Sequence, residues 1–149
     1  MRAISIKMGL WMLAGFVSFF LLMYVLGLGH HSELRVFNSI IHIYCLYQAI
    51  VAYRNLHPQS VDNYVSGVVQ GIGASVIGVV GFTLFMTIFL ALNPEYMNQI
   101  KGTSQLGPYL HPFTASLFIL TEGLAVSVII SYILTRVIDM NFKKKFKMR

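Results

Sequence analysis

The sequence predicts an all-α integral membrane four-helix bundle with both termini on the cytoplasmic side, N-in/C-in. Four apolar runs each reach the roughly 20 residues needed to cross about 30 Å of hydrocarbon at 1.5 Å per residue. Of the 149 residues, 56% are hydrophobic and only 11% are charged, with a mean hydropathy of +0.70. A soluble domain carries about 25% charged residues, so this chain has too little polar surface to coat a globule in water. Basic residues, finally, collect on one set of alternate connections.

The runs cover about residues 8–28, 34–53, 66–92 and 112–135, followed by a basic cytoplasmic tail, 136–149, the whole forming one membrane domain, 1–149. Lipid cannot satisfy bare backbone groups, and the runs lack the alternation of barrel strands, so helices are the form expected. The first run, flanked by Lys7, could serve as a signal peptide. It is longer than the usual 7 to 15 or so apolar residues, however, and is followed by Gly27-Leu28-Gly29-His30-His31 rather than by an A-x-A-like site.

Orientation follows from the short connections, because lysine and arginine stay on the cytoplasmic side during insertion. One side collects Arg2, Lys7, Arg54, Arg136, Lys143, Lys144, Lys145, Lys147 and Arg149, and the other only Arg35 and Lys101. The connection 93–111, with Pro94, Gly102, Gly107 and Pro108, is then the main external loop, too short for a domain but long enough for a contact surface.

The third run carries a stripe of small residues, Gly67, Gly71, Ala74, Gly78 and Gly81, within about 80° of one another at 100° per residue. Val69, Val76, Val80 and Phe89 are expected on the opposite, lipid-facing side. Gly67 to Gly71 is a G-x-x-x-G match, read as helix packing inside the bundle, with a dimer contact as the alternative. A slight echo, Gly15-Phe16 against Gly81-Phe82, hints at a repeated hairpin.

Candidate chemistry is sparse. Glu122 lies near the middle of the fourth run, where an ionised carboxylate costs at least about 2.5 kcal/mol. It reads as a proton or cation site, as an ion pair with another subunit, or as a neutral hydrogen-bonded acid. His42 sits at a similar depth in the second run. There Asn38, His42, Cys45, Ala49 and Ala52 share a face that should point inward, opposite Ile40, Ile43, Tyr47 and Val51. A His42–Glu122 contact is a specific expectation, with separate bonding to hydroxyls or backbone as the alternative. Those two are the only ionisable groups expected to be buried.

Haem is not expected, since His42 has no intramembrane histidine partner in this chain. His30, His31 and His111, near Glu33 and Glu95, read as interfacial polar residues rather than as a zinc site. The lone cysteine, Cys45, excludes an intrachain disulfide. No metal or other cofactor is implied, and no H-E-x-x-H, G-x-S-x-G or P-loop pattern occurs, so no catalytic residues are assigned. Trp11, Tyr24, Tyr53, Tyr96 and Tyr109 fit an interfacial aromatic belt. The tail cations Lys143, Lys144, Lys145, Lys147 and Arg149 suit anionic lipid headgroups, at about 1 kcal/mol each, better than nucleic acid.

The glycine-bearing third run leads into Phe89-Leu90-Ala91-Leu92-Asn93-Pro94-Glu95-Tyr96-Met97. A glycine-rich helix entering an Asn-Pro-acid-aromatic turn resembles a family of small bacterial four-span membrane proteins of unknown function. That resemblance implies a bacterial inner (plasma) membrane location and four helices, and supplies no catalytic residues. Minimal loops, a small-residue face and no site chemistry together lead to the expectation of a non-enzymatic accessory or scaffold subunit. Its partners would be the bilayer and other membrane subunits. A small proton-responsive transporter or channel using Glu122 and His42 is the alternative.

Overall fold

In the computed structural model, which describes residues 2–28, 36–103 and 107–147, the chain is all-helical. Its α-helices are α1 (Arg2–Val25), α2 (Val36–Leu56), α3 (Tyr64–Leu92), α4 (Pro94–Thr103) and α5 (Pro112–Lys147). Short 3-10 turns, Pro58–Asp62 and Gly107–Tyr109, precede α3 and α5, and no strand occurs among the described residues. His30, His31, Glu33, Arg35 and Arg149 lie outside the described residues.

Local chemistry sets the helix ends. At the end of α1, Gly27 adopts φ +71, and the bonds Leu28 N–H to Met23 O (2.9 Å) and Gly27 N–H to Tyr24 O (3.1 Å) close a Schellman motif. The apolar run continues to Leu28, but the helix stops at Val25 because glycine takes the left-handed conformation at no steric cost. Asn63 caps α3, its side chain accepting from Ser66 N–H at 3.3 Å. Asn93 ends α3, since the residue before a proline is pushed out of the helical region, and Pro94 then opens α4. Thr114 reaches back to accept from His111 N–H at 2.8 Å, the returning half of a capping box at the start of α5.

Three helices, α1, α3 and α5, are long and apolar enough to cross a membrane. The second run, expected as an equal span, forms a 21-residue helix that is less apolar, because Asn38, His42, Tyr44, Tyr47, Gln48 and Arg54 interrupt it. The basic tail expected from 136 onward is not set off from the fourth run by a break in the helix. α5 continues unbroken through Lys143 and Lys144 to Lys147, 36 residues or about 54 Å. The connection 93–111 is likewise not a simple loop, since α4 and a 3-10 turn fill most of it.

α3 is central and packs against α1, α2 and α5. It runs in the same direction as α1: Ser5 lies against Gly73, Met12 against Gly78, Leu13 against Gly81 and Phe16 against Phe82. α5 runs the opposite way. Gly67 faces Thr135, Gly71 faces Ser131 and Gly123 faces Val79, so each four-residue step up α3 matches a four-residue step down α5. This is interdigitation of i±4 ridges. The small stripe of α3 is thus divided, Gly67 and Gly71 toward α5 and α2, Gly78 and Gly81 toward α1. Ala74 is fully buried, and Gly9 of α1 approaches so closely that a Cβ there would sit 2.7 Å from the Ala74 carbonyl oxygen. Val69, Val76 and Val80 face outward.

Phe89 does not join those valines. It sits in an aromatic cluster with Phe20, Phe85, Tyr24 and Tyr96, where the Phe20–Phe89 and Tyr24–Phe89 rings meet edge-on at 4.9 and 5.0 Å. Such pairs add about 0.5–1.5 kcal/mol each beyond area burial. The buried Tyr96 and Met97 fasten α4 over this end of the bundle. Tyr96 and Tyr53 are buried in the bundle, whereas Trp11, Tyr24 and Tyr109 are exposed.

Candidate functional site

The inner surface of α5 is a row of small and polar side chains four residues apart: Gly123, Ser127, Ser131, Thr135 and Asp139. Ser127, Ser131 and Thr135 are fully buried and Asp139 nearly so. Successive members are separated by about 6 Å of helix rise, twice a hydrogen-bond distance, so they cannot relay a proton directly to one another. Their effect is steric first, since short side chains on α5 meet glycines on α3.

At the inner end of the row stands an ion pair between α2 and α5. Arg54, fully buried, grips Asp139 with two prongs, Nε to Oδ1 at 2.8 Å and Nη2 to Oδ2 at 2.9 Å. Nη1 donates to Ser60 O (2.6 Å) and is shared between Ser60 Oγ (2.9 Å) and Ser66 Oγ (2.8 Å). Nη2 also donates to Asn63 O at 3.3 Å. All five guanidinium hydrogens have acceptors, so the charge is neutralised and no donor remains for a ligand. One side chain thereby ties α2, the turn after it, the start of α3 and the inner half of α5. Lys143 adds a 3.3 Å contact to Asp62, but both groups are exposed and such a pair is worth little.

Further along the row, His42 Nε2 lies 2.6 Å from Ser75 Oγ and 3.1 Å from Ser127 Oγ. Ser127 directs its own proton to Gly123 O at 2.5 Å, leaving its oxygen to accept. Phe16 closes the ring from the side, edge-on at 5.7 Å. The His42–Glu122 contact is not formed: His42 bonds hydroxyls of α3 and α5, while Glu122 projects from the outer face of α5. Glu122 is not a buried group; among the described residues the buried carboxylate and the buried guanidinium are Asp139 and Arg54, paired with each other. The physical reason is helix phase. Glu122 lies about 180° around α5 from Ser131, at 100° per residue, and Ser131 faces the interior.

Several buried polar atoms have no hydrogen-bond partner among the described residues: Asn38 Oδ1, both amide atoms of Gln70, Ser131 Oγ and Thr135 Oγ1. A Cβ on Gly71 would lie 2.5 Å from Ser131 Oγ, so that hydroxyl is pressed against the α3 backbone. Among the described residues, no three histidine, cysteine, aspartate or glutamate side chains group as metal ligands. Cys45 is buried and His111 exposed.

Sequence reasoning treated Arg54 as a marker of orientation and passed over Asp139, which lies beyond the apolar run. The four-residue spacing from Gly123 to Asp139 was the available signal, because a polar residue repeating in phase with serines and a glycine belongs to one helix face. Comparison with protein-family models, with curated proteins and with solved structures finds no match to this chain.

Proposed function

We propose that the chain is a non-enzymatic subunit of a larger membrane protein assembly, spanning the bacterial inner membrane four times with both termini cytoplasmic. The observation that carries this reading is the position of Glu122. Gly123, its neighbour, lies against Val79, halfway along α3, so Glu122 stands close to the bilayer midplane on a face that nothing among the described residues covers. A lipid-facing carboxylate there costs at least about 2.5 kcal/mol, and a hydrogen-bonding partner on another protein surface removes the cost. Phe118, Ile129 and Ile133 flank it as an apolar contact face.

The four-span reading rests on the inward placement of His42 and Arg54, the most costly of the polar groups that lower the hydropathy of α2, while Tyr44, Tyr47 and Gln48 lie on its outer side. His42 and Arg54 are both satisfied inside the bundle, and the helix is 21 residues, or about 32 Å, long. Cytoplasmic termini rest on the nine-to-two distribution of basic residues. The bacterial inner membrane rests on the resemblance of the Gly67–Met97 region to small four-span bacterial proteins. At its inner end α5 presents Lys143 and Lys144 to anionic headgroups.

Extraction in mild detergent followed by native sizing and identification of associated chains tests the reading. The expected result is a complex larger than one chain that dissociates when Glu122 is replaced by leucine. A wild-type protein that runs as a monomer, with unchanged behaviour for Glu122→Leu, overturns it.

A further inference from the structure

The outer surface carries a second polar feature at nearly the depth of Glu122. On α2, Tyr44 is 62% exposed and Tyr47 45% exposed, and Gln48 Nε2 donates to the Tyr44 hydroxyl at 3.1 Å. That bond uses a lone pair of the phenol oxygen and leaves its hydrogen without an acceptor among the described residues. Glu122, an acceptor when ionised, likewise has no partner among them. The shared level of Ile50 and Ser131, both against Gly71, gives a common height marker for α2 and α5. From it Glu122 lies nine residues up and Tyr44 six, a difference of about 5 Å. Helical side chains lean toward the N-terminus of their own helix, and α2 and α5 run the same way, so both lean alike and only the greater length of the tyrosine side chain takes up part of the difference.

We infer that the partner on the Glu122 face is a second copy of this chain, whose Tyr44 hydroxyl donates to the Glu122 carboxyl. This rests on the subunit reading above and names its partner. The described residues contain no exposed lysine, arginine or histidine at that depth: Lys7 and Arg136 lie toward the ends, Arg136 fourteen residues or about 21 Å from Glu122. A donor from the same chain is therefore neutral, and among the exposed neutral ring donors nearest that depth, Trp11, Tyr44 and Tyr47, Tyr44 is the one held in place, by Gln48, with its hydrogen still undirected. Around this contact Phe118, Ala125 and Ile129 of α5 meet Ile40 and Tyr47 of α2, an apolar surround that raises the strength of the central hydrogen bond. A contact between different faces of identical chains, all with the same in–out orientation, is head-to-tail, and repeated it builds a ring about the membrane normal where its rotation closes and an open row where it does not.

Disulfide trapping in native membranes tests this. In a Cys45→Ala background, cysteines replace Tyr47 and Ile129, which lie within about one residue of the same height. Oxidation of the double-cysteine chain is expected to give a ladder of dimers and higher oligomers that neither single-cysteine chain gives. Adding Tyr44→Phe is expected to cut the ladder about five-fold, the equivalent of one hydrogen bond. Dimers from the Ile129→Cys chain alone would mean that α5 meets α5 and overturn the inference. No ladder from a protein that still sizes larger than one chain would also overturn it while leaving the subunit reading standing. A monomer overturns both.

Discussion

Arg54 and Asp139, 85 positions apart in the chain, form a two-pronged buried ion pair that joins α2 to α5. Taking either partner away leaves a desolvated charge with nothing opposite it, and that costs about 3–5 kcal/mol. Asp139→Ala and Arg54→Ala are each expected to lower the unfolding midpoint in detergent sharply. Replacing both by leucine is expected to recover most of the loss, which a double-mutant cycle measures; additive losses would contradict the coupling.

Gly71 is the tightest rung between α3 and α5, with a Cβ there placed 2.5 Å from Ser131 Oγ and 3.0 Å from Ser131 Cβ. Gly71→Ala is expected to destabilise by about 1–3 kcal/mol through overpacking. Ser131→Gly in the same chain should restore most of that, whereas Ser131→Ala should restore less because its Cβ remains. Thermal unfolding of the three variants checks the order.

His42 Nε2 bonds the enclosed Ser75 hydroxyl and lies against Ser127, so His42→Leu is expected to cost about 1–3 kcal/mol by leaving Ser75 without that partner, while Ser127 keeps its bond to Gly123 O. His42→Leu combined with Ser75→Ala should be more stable than His42→Leu alone. Chemical unfolding in micelles reads the difference.

Tyr96 and its ring contacts hold α4 against the end of α1 and α3. Tyr96→Ala is expected to speed proteolysis within 93–103 many-fold while shifting the global unfolding midpoint only slightly, because α4 contributes little to the packing of the long helices. A large drop in the midpoint would contradict that separation.

The proposed orientation has its own check. With Cys45→Ala, a cysteine at the exposed Gln59 should be shielded from a membrane-impermeant thiol reagent applied outside intact cells, and one at Asn98 should react. Asn98 is exposed on α4. The reverse pattern would invert the topology.

Much of the architecture was legible because a single local property decides it. Apolar length marks α1, α3 and α5, and the Asn93-Pro94 step marks the end of α3, since both depend on neighbouring residues alone. Two kinds of feature were harder to read. Arg54 looks like any flanking cation until Asp139 is brought to it across 85 positions, and no local pattern encodes that approach. Glu122 was assigned an inward face from its depth, although depth carries no information about direction. Phase does, and the row Gly123, Ser127, Ser131, Thr135, Asp139 fixes the phase of α5. The stop at Gly27 and the continuation of α5 to Lys147 show the same lesson at helix ends: capping and helix propensity set them, while hydropathy sets only the part inside lipid.

The α3–α5 contact resembles a toothed rack, with near-identical teeth every four residues. One tooth along, about 6 Å away, glycine would again meet serine or threonine at the Arg54 end, but Val79 would lose its place against Gly123. Arg54 is the detent. By engaging Asp139 at one setting only, it fixes the end of the rack where the teeth are nearly interchangeable, so the charge pair gives the protein uniqueness more than strength. A chain with both charges replaced by leucine would then keep its helices and much of its stability, yet lose the fixed alignment at that end.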